Sequence, residues 1–262
     1  MTESTQENHG ITTFLKHPRT SLLRCWARWR LNQGRPYIVL TAATRHTEAS
    51  FWHETLLGRY LTAHPTPKNV QLNIAFDNSR GLPSVYNEAM TNHTHAAIYL
   101  FVHDDVWLPS ENVFDEIALG AQHFDVVGIA GNTRRVKGQP AWLFKGIYDN
   151  QLLLDRGHLS GSVRTGDEHR SARTDYGHAP MPCELIDGVL MSINARVARG
   201  TGARFDERFT FDFYDMDFCR TAKHKGLTIG TWPIDVIHAS PGVFGKPAWV
   251  QALHSYLAKW KA

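Results

Sequence analysis

Short apolar segments alternate with amphipathic ones through residues 36–131, and this alternation limits the fold more than any other feature of the chain. The strand-length apolar runs are residues 37–41, 70–76, 96–102 and 125–130. Helical patterns are found between them, over residues 47–64, from Pro83 onward and over residues 111–123. This β-α-β-α-β-α-β order predicts an α/β fold with a doubly wound, mostly parallel sheet flanked by helices.

Three polar segments follow the ends of the first three predicted strands. They are residues 41–46, 77–82 and 103–106. In a doubly wound sheet, ligands bind beyond the carboxyl ends of the strands. We therefore expect the functional site where these segments meet.

The regular alternation ends at residue 131. Residues 132–182 are rich in Gly, Arg, His, Ser and Asp, and they predict a long irregular insertion with one hairpin near residues 148–159. Regular structure is expected again as a strand over residues 184–193, a helix from about Asp215 to a C-cap at Gly226, an extended run over residues 227–237 and a helix over residues 247–260.

Composition excludes several classes of protein. Lys and Arg number 28 against 25 Asp and Glu among 262 residues, and the net charge of +3 is too small for a nucleic-acid-binding surface. Cys25, Cys183 and Cys219 lie far apart and form no CxxC pair, which argues against a disulfide framework or a structural zinc site. With no secretory signal and no apolar run of membrane-spanning length in the sequence, we expect a cytoplasmic protein.

Two amphipathic segments near the ends of the chain leave two interpretations open. Residues 19–31 place Trp26 and Trp29 near one helical face and arginines mostly on the other, and residues 247–260 are also amphipathic. Each helix either packs on the domain or contacts an anionic membrane surface or a partner. Membrane contact would place the protein peripherally at the inner face of the membrane.

The strongest chemical signal is His103-Asp104-Asp105, directly after the third apolar run. Two adjacent carboxylates at a sheet edge repel each other unless a cation or water compensates their charge. A divalent ion bound together with a diphosphate is one interpretation, and an exposed polar strand end is the other.

Three weaker signals lie in the second half of the chain. Asp215 and Asp217 stand in the first turn of a predicted helix, where they either satisfy the helix dipole or act as a general base. His238 ends an extended apolar run and is either structural or a ligand. Asp187-Gly188 interrupts an apolar strand, which indicates close approach of a ligand or of another backbone segment.

Several nucleotide and hydrolase motifs are missing from the chain. There is no GxxxxGK[ST], no HExxH and no GxSxG, and no GxGxxG follows the first strand. We therefore do not expect a P-loop NTPase, a zincin, an α/β-hydrolase or a typical dinucleotide enzyme.

Four segments, taken in order, resemble those of GT-A fold glycosyltransferases of the family 2 type. They are NSRGLPSVYNEA, YLFVHDDVWL, the run from LIDGVLMSINARV to FDERFTFDFYDMDFCRTAKHKG, and WPIDVIHASPG. The second carries a His-x-Asp-Val form of the metal motif, which suggests a small branch of the family. The resemblance implies a metal-dependent enzyme that moves a sugar from a nucleotide sugar, most simply a UDP-sugar, to a hydroxyl of a glycan or lipid-linked acceptor.

The resemblance spans about residues 36–242 and implies a division of the chain. Residues 1–35 would be an arm with a basic amphipathic helix, and residues 243–262 a C-terminal amphipathic helix. Between them, residues 36–131 would bind the nucleotide and residues 132–242 the sugar and the acceptor.

The resemblance also implies roles for single residues. Asp105 and His238 would bind Mn²⁺ or Mg²⁺, and Asp187 and Gly188 would line the donor sugar. Asp215 would deprotonate the acceptor. The nucleotide would be held by Thr41, Ala42, Ala43, Asp77, Asn87 and Asp104.

One departure from the family pattern keeps the activity open. Tyr214 stands where the family has an acidic residue, and Asp217 follows Asp215, so either aspartate is a candidate base. The alternative function is a catalytically inactive UDP- or sugar-binding protein of the same fold. A sugar nucleotidyltransferase is less favoured, because the loop TAATRHTEAS after the first strand is not rich in glycine.

Overall fold

The computed structural model describes residues 34–240, 242 and 244–261. The predicted N-terminal arm and the basic helix over residues 19–31 lie outside the described residues. The strands are β1 (Ile38–Ala43), β2 (Val70–Ala75), β3 (Ile98–Val102), β4 (Val106–Trp107), β5 (Val126–Gly128), β6 (Ala130–Asn132), β7 (Phe144–Tyr148), β8 (Gln151–Leu154), β9 (Leu159–Gly166), β10 (Ser171–Gly177), β11 (Met181–Pro182), β12 (Leu185–Ile186), β13 (Leu190–Asn194), β14 (Ile229–Thr231) and β15 (Ile237–His238). The α-helices are α1 (Glu48–Glu54), α2 (Leu56–Ala63), α3 (Leu82–Asn92), α4 (Val113–His123), α5 (Ala195–Thr201), α6 (Tyr214–His224) and α7 (Pro247–Trp260).

A seven-stranded sheet in the order β11-β14-β5-β13-β3-β1-β2 forms the centre of the protein. β1, β2, β3, β5 and β14 run in one direction, whereas β13 and β11 run in the other. Every residue of β3 is buried, as an apolar run covered on both faces requires. The prediction of an α/β fold with a mostly parallel sheet is confirmed.

The helix predicted over residues 47–64 is two helices, because Thr55 ends one and begins the next. The Thr55 hydroxyl donates to the carbonyl of Phe51 at 2.8 Å and accepts from the amide of Gly58 at 2.9 Å. A side chain in this position satisfies the free amides of a new helix, so α2 starts in a new direction.

Two predicted strands are each divided between two sheets. The segment 125–130 becomes β5 in the central sheet and β6 in a second sheet. The segment 184–193 passes in the opposite order, with β12 in the second sheet and β13 in the central sheet. β5 pairs with β13 and β6 pairs with β12, so the two segments cross from one sheet to the other side by side. The crossing leaves Asp187-Gly188 at the junction of the sheets.

The insertion predicted to be irregular is built mostly from β-strands. β9 joins a second sheet in the order β12-β6-β9-β15-β4, with β10 paired to β9, while β7 and β8 form a separate hairpin. This hairpin lies where the sequence predicts one. The strands of the second sheet come from both halves of the chain. Patterns in single segments predicted parts of β6, β12 and β15, but they predicted neither β4, β9 and β10 nor the assembly of a second sheet.

Helix α7 packs on the domain through its apolar face. It begins and ends at the predicted residues, and Trp249, Leu253 and Tyr256 are buried. The ring of Phe213 lies 5.5 Å from that of Trp249 and 5.3 Å from that of Tyr256. Within the described part of the chain, no helix has the length and hydropathy that a membrane span requires.

Candidate active site

A cavity of about 510 Å³ opens at the carboxyl ends of β1 and β3, beside the junction of the two sheets. Its walls come from residues 103–105, 140–142, 187–189 and 211–216, together with residues between 238 and 249. The sequence predicted the site at this edge, and the second half of the chain supplies most of the remaining wall.

The lining of the cavity is strongly acidic. It contains five aspartates, Asp104, Asp105, Asp187, Asp212 and Asp215. Lys246 is the one Lys or Arg among the lining residues. Carboxylates at this density repel each other and any anionic ligand, so the cavity favours a bound cation.

Strand pairing brings together three potential metal ligands, His103, Asp105 and His238. β4 and β15 pair antiparallel with His238 opposite Val106, which places Nε2 of His238 3.2 Å from Oδ1 of Asp105. One ligand atom from each of the three residues lies within 4.8 Å of the others. Two imidazoles and a carboxylate are suitable ligands for a divalent transition-metal ion, so these three side chains could bind a metal ion directly.

Tyr214 fixes the orientation of His103. The Tyr214 hydroxyl lies 2.9 Å from Nε2 of His103 and donates to the carbonyl of Gly188, also at 2.9 Å. Because a phenol has one proton, the hydroxyl accepts from Nε2–H of His103. Burial lowers the pKa of His103 despite the nearby carboxylates, so the neutral imidazole keeps Nδ1 as its free lone pair.

Asp105 is held in its ionised form. Burial alone would raise the pKa of Asp105, but the hydrogen bond from His238 and the charge of His238, together with a hydrogen bond from Ser240, lower it to about 2. The same contact raises the pKa of His238, although burial opposes the change. This charged pair is the arrangement into which a metal ion would substitute for the proton.

Gly188 is packed so tightly that no side chain fits there. A Cβ on Gly188 would lie 2.3 Å from the hydroxyl oxygen of Tyr214 and 3.0 Å from Cβ of Asp215. Asp187 beside it accepts from the indole N–H of Trp142 at 2.7 Å and from the amide of Val189 at 2.8 Å. The sequence predicted that a ligand or another backbone segment lies close to Asp187-Gly188. The segment that lies close is the start of α6, which packs against the β12–β13 junction.

Asp215 lines the cavity and has a raised pKa. Its carboxylate accepts from the amides of Gly188 at 3.1 Å and Met216 at 2.7 Å. Burial, followed by the charge of Asp187, raises the pKa of Asp215 to about 7. A carboxylate with that pKa is a stronger base than an ordinary aspartate and is matched to neutral pH.

Asp217 points away from the cavity and into the protein. It is completely buried, and it accepts from Lys259 Nζ at 2.7 Å and from the indole N–H of Trp260 at 2.8 Å. Burial raises the pKa of Asp217, although Lys259 and Trp260 oppose the change. The two candidate bases therefore have different surroundings: Asp215 lines the cavity and Asp217 holds helix α7 on α6.

The predicted nucleotide residues do not all reach the cavity. β1 continues two residues beyond its predicted end, so Thr41 and Ala42 are completely buried in the sheet and Ala43 alone of the three lines the cavity. Asp104 also lines it. Asp77 is exposed at the turn after β2, outside the lining, with its amide bonded to the carbonyl of His46.

Asn87 joins α3 to the FDE segment and does not line the cavity. Its side chain donates to the carbonyl of Phe205 at 2.9 Å and accepts from the amide of the same residue at 3.0 Å. Glu207 accepts from Asn87 and from Ser84. These contacts hold α3, in the first half of the domain, against residues 205–207 in the second half.

Several site residues were not assigned a role from the sequence. A third metal ligand could have been predicted at His103, because this residue begins the acidic motif His103-Asp104-Asp105. Nothing in the local pattern marked Trp142, which reaches Asp187 from the insertion, or Phe211, which lines the cavity with 60% of its surface exposed.

The chain is similar to glycosyltransferases in sequence and in fold. A model of a family described as a glycosyltransferase-like family matches residues 53–255. The chain belongs to this family. The prediction of a glycosyltransferase with the GT-A fold is thereby confirmed. A search of curated proteins gave no match.

Similar solved structures include glycosyltransferases. GalNAc-T7 with UDP, GalNAc and Mn²⁺ has a TM-score of 0.52 at 8% identity, over 87% of this chain and 49% of that one. The mannosyltransferase PcManGT from Pyrobaculum calidifontis, in complex with GDP-Man and Mn²⁺, has a TM-score of 0.48 at 16% identity, over 96% of this chain and 74% of that one. This chain spans about half the length of GalNAc-T7, and a likeness at such low identity establishes the fold alone.

Proposed function

We propose that the protein transfers a sugar from a UDP-sugar to an acceptor hydroxyl, with a divalent metal ion in the cavity. The observation that carries the proposal is that His103, Asp105 and His238 share one cavity with Asp187 and Asp215. This combination provides a cation site and a base in one cavity of about 510 Å³, which is large enough for a sugar.

The metal ion would be held by Asp105 and His238, with His103 as a third ligand. When bound, it would neutralise the charge that develops on the departing diphosphate. The acidity of the cavity supports this role, because a lining of five aspartates and one lysine disfavours a diphosphate that arrives without a cation.

Asp215 is proposed as the general base. In the reaction, the bond between the sugar C1 and the diphosphate oxygen breaks as the acceptor oxygen bonds to C1. The acceptor proton passes to the Asp215 carboxylate, and UDP leaves with the electron pair. The two amide hydrogen bonds to Asp215 hold its carboxylate in one orientation for that transfer.

UDP is the proposed nucleotide because the family resemblance, which includes the segments that follow β2 and β3, implies uridine binding at this edge of the sheet. Asp77 and Asp104, both at this edge, are the proposed polar contacts to the base and the ribose. GalNAc-T7, which has the same fold, was solved with UDP and Mn²⁺, and this is consistent with the choice.

The direct test is calorimetric titration of UDP into the protein with Mn²⁺ and then with EDTA. We expect binding that requires the metal ion and that is weaker for GDP. Asp105→Ala should abolish it, whereas Asp175→Ala, at an exposed site where the carboxylate pairs with Arg173 on its own strand, should leave it unchanged.

The outcomes separate the proposal from its alternatives. Tight binding of UDP without transfer or donor hydrolysis, over a screen of UDP-sugars, would favour an inactive binding protein. A preference for GDP would reject the nucleotide assignment, and unchanged UDP affinity in Asp105→Ala would reject the metal assignment.

Membrane contact through the terminal helices stays a prediction. The apolar face of α7 packs inside the protein, so the support for such contact from the ends of the chain comes from residues 19–31.

A further inference from the structure

The β7–β8 hairpin exposes apolar side chains to solvent on both of its faces. It pairs with neither of the two larger sheets. The register places Ile147 opposite Leu152 on one face and Tyr148 opposite Gln151 on the other, where Leu153 also lies. Ile147 is 50%, Tyr148 68% and Leu153 37% exposed. Apolar surface of this kind marks a site of interaction with a partner or a membrane.

The base of the hairpin is firmly attached to the domain. Asp155, directly after β8, is 3% exposed and receives two hydrogen bonds from Arg134, at 2.6 and 3.0 Å, and one from Asn132 at 3.0 Å. The ring of Phe144 lies 5.0 Å from that of Phe244, which lines the cavity. The exposed apolar residues are therefore carried by a fixed structure that continues from the cavity wall.

Basic residues are found in the hairpin and in the segments directly before and after it. Residues 134–156 contain Arg134, Arg135, Lys137, Lys145 and Arg156 against Asp149 and Asp155. Arg134 is paired with Asp155, whereas Arg135, Lys137, Lys145 and Arg156 are not in an ion pair within the described residues, and all four are exposed. The positive charge of these four exposed residues, called the basic rim of the hairpin below, together with its apolar side chains, is complementary to anionic lipid head groups over hydrocarbon.

We propose that the β7–β8 hairpin inserts its tip into the surface of an anionic bilayer and holds the cavity at that surface. A bilayer surrounds an inserted ribbon and covers both of its apolar faces at once, whereas a flat protein surface covers only one of them. Tyr148, beside the Asp149-Asn150 turn, has the amphipathic side chain that suits the head-group region. A further consequence, which rests on the proposed function, is that the acceptor is presented from the membrane.

The test is co-sedimentation of the full chain with vesicles of phosphatidylcholine and phosphatidylglycerol, and with vesicles of phosphatidylcholine alone. The double variant Ile147→Ser, Leu153→Ser removes one apolar side chain from each face. We expect its partition coefficient on the mixed vesicles to fall by roughly tenfold to thirtyfold, since two partly exposed apolar side chains lose their burial in lipid. Leu119→Ser on α4, where the side chain is 49% exposed, is the matched control and should bind as the wild type does.

Residues 1–33 are present in every variant, so the difference between variants reports the hairpin. High salt should weaken binding of all variants through the basic rim and leave the ratio between wild type and double variant nearly unchanged. Equal partition of the two proteins, or no binding of the wild type to the mixed vesicles, would overturn the proposal. A lipid-free dimer that the double variant loses would overturn it too, because the surface would then bind a second copy.

Calorimetry of UDP with Mn²⁺ on the same proteins separates this inference from the proposed function. The double variant should bind UDP as the wild type does. If no variant binds UDP while the vesicle result stands, the nucleotide proposal fails and the bilayer surface remains.

Discussion

Asp215→Asn and Asp217→Asn should have opposite effects although the residues are two positions apart on one helix. Asp217 is completely buried against Lys259 and Trp260, so its neutralisation removes a buried ion pair and a charge-assisted hydrogen bond. Lys259 keeps its contact with Asp206, which limits the loss. We expect Asp217→Asn to lower the free energy of unfolding by about 2–4 kcal/mol.

Asp215→Asn should change stability in a pH-dependent way. Because the folded-state pKa of Asp215 is about 7 against an ordinary aspartate value of 3.8, the folded protein holds this proton more tightly than the unfolded chain does. The resulting penalty is absent below about pH 4, grows as pH rises and is complete above pH 7. From pH 5 to pH 8, the wild type should lose about 2 kcal/mol relative to Asp215→Asn, after allowance for the partial opening of this side chain to the cavity.

Urea unfolding followed by tryptophan fluorescence at pH 5 and pH 8 measures both effects, and sugar transfer is assayed on the same samples. We expect Asp215→Asn to fold, to bind UDP with Mn²⁺ and to lose transfer, whereas the folded fraction of Asp217→Asn should retain transfer. The assignment of the base would be refuted if Asp215→Asn remained active, or if Asp217→Asn lost transfer at unchanged stability.

Three other expectations concern the same cavity. Gly188→Ala should reduce kcat/KM for transfer by about 100-fold or more, because its Cβ would displace Tyr214 and Asp215. Gly146→Ala, where a Cβ meets nothing within 4 Å, is the control and should leave kcat/KM unchanged. In a pH profile, kcat/KM should rise through about pH 7 as Asp215 ionises. Asp187→Asn should move that rise to lower pH, because it removes a neighbouring negative charge. A wild-type profile that is flat from pH 5 to pH 8 would contradict the role of Asp215 as the base. Because two of the three potential ligands are imidazoles, the protein should bind Mn²⁺ or Co²⁺ more tightly than Mg²⁺. His103→Asp should reduce the difference in affinity between Mn²⁺ and Mg²⁺. Equal calorimetric affinities for the two ions in the wild type would contradict this expectation.

Much of the fold could be predicted because its signals are local. Apolar runs predicted β1, β2 and β3 to within a few residues, and helix α7 begins and ends where its pattern does. Gly226, with φ of 79°, follows the end of α6 as expected of a residue that readily adopts a left-handed conformation. The second sheet was not predicted, since its short strands become stable only when segments distant in sequence pair.

Local patterns in the chain already specify which residue types the site can use, namely carboxylates and histidines after apolar runs at one edge of a sheet. The role of each of these residues depends on the contacts that it makes in the folded protein. Residues two apart on a helix face nearly opposite sides, and it is packing against α7 that turns Asp217 inward and leaves Asp215 to the cavity. Pairing of β4 with β15 brings His238 to Asp105. Periodicity is a property of neighbouring residues, whereas a site is made by contacts between distant ones, and only the folded chain fixes those.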